Sequence, residues 1–88
     1  MVERTVTIAN KIGLHARPSA EIVKLAAKFK SEIILIKDDL EVNAKSIMGV
    51  MMLAAEFGST LLLRADGPDA AEAVAALAVL IESRFGES

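Results

Sequence analysis

The stretch KIGLHARPSA, residues 11–20, contains the only histidine of the chain. Pro18 suits the first turn of a helix, where its missing N–H removes no bond. A helix start near Ala16 then puts His15 at or beside the N-cap. Backbone N–H groups in that first turn have no partner within the helix, and the helix dipole adds roughly half a positive charge. Such an end holds phosphate well, and Arg17 can add a permanent cation with a fork of donors. The same positive end disfavours a second positive charge on the ring. A neutral imidazole keeps a lone pair, and a lone pair can attack phosphorus. The product is a phosphoramidate, an activated bond suited to onward transfer. Phosphoryl transfer depends mainly on positioning and charge stabilisation, so His15, the Arg17 side chain and the amides of Ala16 and Arg17 would suffice. Gly13 would let the chain turn tightly beside the ring. The spacing also suits a plainer pairing, a polar capping histidine followed by a solvated arginine. No second acid, base or nucleophile lies beside His15 in sequence, and a lone histidine with scattered carboxylates makes no metal site.

A second candidate is Ser46, in KSIMGVMM (residues 45–52). A serine there can cap the helix that follows, at a value of about 1 kcal/mol. Phosphorylation of Ser46 would add roughly −1.5 to −2 charges, which a helix N-terminus tolerates and an acidic partner surface would repel. Residues 47–53 are apolar nearly all round, more than a short surface helix can bury. Part of this segment is therefore expected to stay exposed as a flexible docking patch. Lys24, Lys28 and Lys45 could extend a positive rim around Arg17. Lys24 and Lys28 equally suit the wet face of a helix, with Glu21 as a local partner.

These residues need a frame to position them. VERTVTIA (2–9) alternates, with Val6 and Ile8 on one face and Thr5 and Thr7 on the other, the mark of a half-buried strand. From Ala16 to about Lys28 the period becomes helical, with Ile22, Leu25, Ala26 and Phe29 on one face and Glu21, Lys24 and Lys28 on the other. EIILIK (32–37) and LEVN (40–43) form a hairpin about the turn at Asp38 and Asp39. AKSIMGVMMLAAE (44–56) reads as a short helix, and Gly58 closes that region. TLLLRAD (60–66) is a strand with Leu61, Leu63 and Ala65 on one side. Asp69 and Glu72 have the spacing of a capping box. The last helix runs to about Arg84, with Val74, Leu77, Ala78 and Ile81 in one stripe and Gly86 as terminator. The resulting order, β-α-β-β-α-β-α, predicts a two-layer α+β domain. Strand one could pair in parallel with strand two, or strand four could lie between them.

Composition narrows the function. At 88 residues the chain suits one domain, residues 1–88, and its 53% hydrophobic content fits a folded protein. A net charge of −2 gives no hint of a nucleic-acid face. Charged residues interrupt every apolar run, so no membrane insertion is expected. The start lacks the pattern of a signal peptide. With no cysteine, disulfides and thiol catalysis are excluded, and a cytoplasmic location is the default expectation.

Together, NKIGLHARPSA and FKSEIILIKDDLEVNAKSIMGVMMLAAEFG resemble the HPr family. These are the histidine-containing phosphocarriers of the bacterial phosphoenolpyruvate-dependent sugar phosphotransferase system (PTS). The resemblance covers nearly the whole chain, and G-L-H-A-R-P followed at this separation by K-S-I-M-G is specific. It implies an open-faced β-sandwich: a four-stranded antiparallel sheet, order 1-4-2-3, with three helices on one face. It implies that His15 accepts a phosphoryl group on its δ nitrogen from enzyme I and passes it to an enzyme IIA domain. Arg17 would stabilise that group, and Ser46 would be the target of HPr kinase/phosphorylase. Ile47, Met48 and Met51, with Lys24, would dock partners. A monomeric, stoichiometric carrier without cofactor is expected, rather than an enzyme. The alternatives are a nitrogen-branch paralogue (NPr-like) and a regulatory docking module acting through phosphorylated Ser46. Ala9, Ser19, Phe57 and the Asp38–Asp39 turn depart from the commonest family pattern.

Overall fold

The computed structural model describes residues 1–86. Strand β1 spans Val2–Thr7, helix α1 Ala16–Ala26, β2 Glu32–Lys37, β3 Leu40–Asn43, α2 Ile47–Met52, β4 Thr60–Asp66 and α3 Ala70–Glu82. The strands form one antiparallel sheet in the order β1-β4-β2-β3. Strand β4 therefore lies between β1 and β2, as the family resemblance implied and as periodicity alone left open. Val2 stands opposite Ala65 and Thr7 opposite Thr60. Ile36 pairs with both Leu62 of β4 and Glu41 of β3.

Alternation decides which face is covered. Val6, Ile33, Leu35, Val42, Leu61, Leu63 and Ala65 point to the helical layer and are buried. Ile22 and Ala26 of α1, Val50 of α2, and Ala73, Val74, Leu77, Ala78 and Ile81 of α3 meet them. Each large aliphatic side chain so buried contributes about 1.5–3 kcal/mol relative to exposure. Helix α3 lies against β1 and β4, and α1 packs beside both α2 and α3.

Several local expectations need correction. Helix α1 ends at Ala26, not near Lys28, because the chain tightens: the Lys28 and Phe29 amides donate to the carbonyls of Leu25 and Ala26, three residues back. Helix α2 stops at Met52, followed by Ala54 in the left-handed region at φ +48°. Asp69 precedes α3 but does not cap it. Its carboxylate reaches back to the α1–β2 loop, accepting from the Ser31 hydroxyl at 2.5 Å and the Lys30 and Ser31 amides at 2.9 Å each. The Asp69 amide donates to the Ser31 hydroxyl at 3.2 Å. Led by the Ser31 hydroxyl, these donors hold the Asp69 pKa at about 2, against an ordinary 3.8. Gly67 makes the approach possible, since a Cβ there would overlap Ser31. Phe85, after the end of α3, is only 4% exposed, an anchor that the helical stripe did not reveal.

Candidate functional site

The loop between β1 and α1 is held at both ends before it presents its histidine. Asn10 is fully buried; its carbonyl accepts from the Gly13 amide at 3.2 Å, and its side-chain amide donates to the Gly13 carbonyl at 2.8 Å. Gly13 has φ +82°, and a Cβ there would overlap the Ala55 backbone. The Leu14 amide donates to the Ala55 carbonyl at 2.9 Å, while the Leu14 side chain enters the core. The loop is thus fastened to the segment that joins α2 to β4.

His15 is the N-cap residue of α1, in extended conformation at φ −88° and ψ −170°. Its amide donates to the Gly13 carbonyl at 3.0 Å, and its carbonyl accepts from Ser19 at 3.0 Å, which closes the first helical turn. The side chain does not cap its own helix. The ring is half-buried with Nε2 facing inward. Pro18 has no N–H and the Ser19 amide donates to the His15 carbonyl, so the other backbone N–H groups of the first turn are those of Ala16 and Arg17. Both residues are exposed. The first turn itself holds no acidic residue. The expected cluster of His15, Ala16 and Arg17 is therefore assembled at one helix end.

Lys24, in the last turn of α1, is exposed seven residues after Arg17, a spacing that returns it to nearly the same helical face. Lys45 departs from the expected rim: its ammonium donates to the Phe29 carbonyl at 2.8 Å, past the opposite end of α1 from Arg17. Glu21 also differs from a simple wet-face partner for the lysines. Its Oε2 is buried and has no hydrogen-bond partner among the described residues.

Ser46 is the N-cap of α2, and its hydroxyl accepts from the Gly49 amide at 3.1 Å. Val50 and Leu53 turn inward, while Ile47 (41% exposed), Met48 (71%) and Met51 (42%) turn out. Three residues missing from the expected docking set share this exposure: Met52 (65%), Phe57 (63%) and Ile12 (72%). Phe57 therefore does not shield the core. Ile12 had a readable signal, an isoleucine inside NKIG (residues 10–13), the stretch that leads into the histidine motif. Ile12 and Phe57 lie on the two segments that the Leu14–Ala55 bond ties together. An imidazole beside helix-end donors, close in the fold to an exposed apolar segment, can take a small anionic group and meet a larger partner.

Comparison with known proteins gives a consistent result. The family model described as the PTS HPr component phosphorylation site matches residues 2–83. Phosphocarrier protein HPr of Cupriavidus necator is 55% identical over 87 residues, covering 99% of this chain and 98% of that protein. Phosphocarrier protein NPr of Shewanella violacea is 38% identical over 87 residues, covering 99% and 96%. The crystal structure of HPr-C-His from Thermoanaerobacter tengcongensis superimposes with a TM-score of 0.96 at 53% identity, covering 100% of this chain and 99% of that one. With motif, strand order and near-complete coverage in agreement, the chain belongs to the HPr family of PTS phosphocarriers.

Proposed function

We propose that this chain is the phosphoryl carrier between enzyme I and enzyme IIA domains in sugar uptake. The observation that carries the reading is the placement of His15. The ring stands at the N-cap of α1 with Nε2 buried, and Nδ1 is the proposed acceptor, as in the family that the chain belongs to. Its lone pair attacks phosphorus, the bond from phosphorus to the donor breaks, and the new P–N bond carries the group to the next acceptor. The amides of Ala16 and Arg17 and the Arg17 guanidinium hold the phosphoryl oxygens. The chain is consumed and regenerated in equal amounts, so it is a carrier and not an enzyme.

Ile47, Met48 and Met51 supply an apolar docking face, and Lys24, exposed on α1, adds positive charge for the partner. Ser46 is the proposed site of regulatory phosphorylation by HPr kinase/phosphorylase. A phosphate there would sit at the start of α2, adding charge next to the docking residues with little cost to the fold. Identity of 55% to an HPr against 38% to an NPr supports the sugar branch over the nitrogen branch. We place the carrier in the cytoplasm as a monomer, since one surface must meet two partners in turn. No helix among the described residues is long and apolar enough to cross a membrane.

Incubation with phosphoenolpyruvate and enzyme I tests the reading. The expected product carries one acid-labile phosphoryl group on His15, and the His15→Ala variant carries none. A phosphorylated His15→Ala protein would overturn it. A parallel incubation with nitrogen-branch enzyme I should give slower transfer; faster transfer would reassign the branch.

A further inference from the structure

We propose that the methionines of α2 form a redox modification site that lowers docking affinity when oxidised, an inference that rests on the carrier reading. The chain has no Cys, Trp or Tyr and only four methionines. Its readily accessible two-electron oxidation chemistry therefore falls on thioethers. Three of the four, Met48, Met51 and Met52, stand on one six-residue helix at spacings i, i+3 and i+4. That spacing gathers them on one side. All three are exposed, at 71%, 42% and 65%, while Val50 and Leu53 of the same segment are buried. An oxidant can reach the sulfurs without opening the fold.

The step is oxygen transfer from a peroxide. A sulfur lone pair attacks one peroxide oxygen and the O–O bond breaks. Sulfur gives up two electrons as the S–O bond forms. The other oxygen leaves with the proton, as water when the oxidant is hydrogen peroxide. Each sulfoxide adds a strong acceptor to a face otherwise made of Ile47 and thioethers. A partner that buries it must strip water from a polar group that its apolar surface cannot pair. The fold itself should survive, because the Ser46–Gly49 cap and the buried side of α2 are not touched. Methionine sulfoxide reductase chemistry can reverse the change.

Met1 provides an internal control. It is 77% exposed, at the end of β1 remote from the His15 loop, with its amino group 3.8 Å from Asp66. The test is hydrogen peroxide treatment, peptide mapping of the added oxygen, and steady-state phosphorylation by enzyme I and phosphoenolpyruvate. Wild type oxidised at Met48, Met51 and Met52 should show a KM for this protein raised roughly tenfold. Its circular dichroism should be unchanged, and methionine sulfoxide reductase should restore the KM. The triple variant Met48→Leu/Met51→Leu/Met52→Leu has its own starting KM, and peroxide should leave that value in place although Met1 is still oxidised. Wild type bearing all three sulfoxides with its KM unchanged would overturn the switch and spare the carrier reading. Equal peroxide damage in the triple variant would do the same. Untreated protein that accepts no phosphoryl group would overturn both.

Discussion

Gly13 determines where His15 stands, although it carries no functional group. Its φ of +82° is unfavourable for residues with a side chain, and its Cα faces the Ala55 backbone without room for a methyl. Gly13→Ala is expected to cost at least about 1–2 kcal/mol of stability, measured by urea denaturation, and to slow phosphorylation because the ring moves. Ser19 offers the opposite case. It is fully buried, and its hydroxyl has no hydrogen-bond partner among the described residues. Ser19→Ala should therefore raise stability by about 1 kcal/mol, with the loop geometry kept, since the amide bond to the His15 carbonyl survives. A fall in stability would mean that the hydroxyl has found a partner. Arg17→Lys keeps the charge but loses the fork, so transfer should slow while folding is unaffected.

At the scale of elements, two helix starts work differently. Helix α2 is capped by Ser46 in the expected way, and Ser46→Ala should cost about 1 kcal/mol in thermal or urea unfolding. Helix α3 follows Asp69, which instead fastens the α1–β2 loop through Ser31 and Lys30. That role was not legible in sequence, because D-x-x-E spacing reports local neighbours and Ser31 lies 38 residues away. Lys45 and Phe85 were hidden for the same reason: each finds its partner through the packed structure. The helix end at His15 was legible because its causes are local, a proline in the first turn and a glycine before the ring.

For the whole molecule, alternation and helical period suffice to read the order of elements and most of the core. They do not decide which strands are neighbours, since β1 and β4 are far apart in sequence and each pattern is satisfied by more than one pairing. The strand order was readable only through family resemblance. Long-range fastening also couples stability to pH at the acid end. Asp69 has its pKa depressed to about 2 in the folded protein, so between that value and the ordinary 3.8 the unfolded chain binds more protons. Its contribution is fully present above the ordinary range and is lost as pH falls through the folded value. Asp69→Asn should lower stability at neutral pH and flatten the fall between pH 4 and 2, a range set by those two values, in urea titrations across pH. An equally steep fall in the variant would assign the acid limit to other carboxylates.

The central claim is that Nδ1 of His15 carries the phosphoryl group at the start of α1. Nuclear magnetic resonance of the imidazole nitrogens, in protein phosphorylated by enzyme I and phosphoenolpyruvate, reads this directly. Phosphorus coupled to Nδ1 of His15 is the expected result. Phosphorus on Nε2, or on any residue other than His15, would contradict the account.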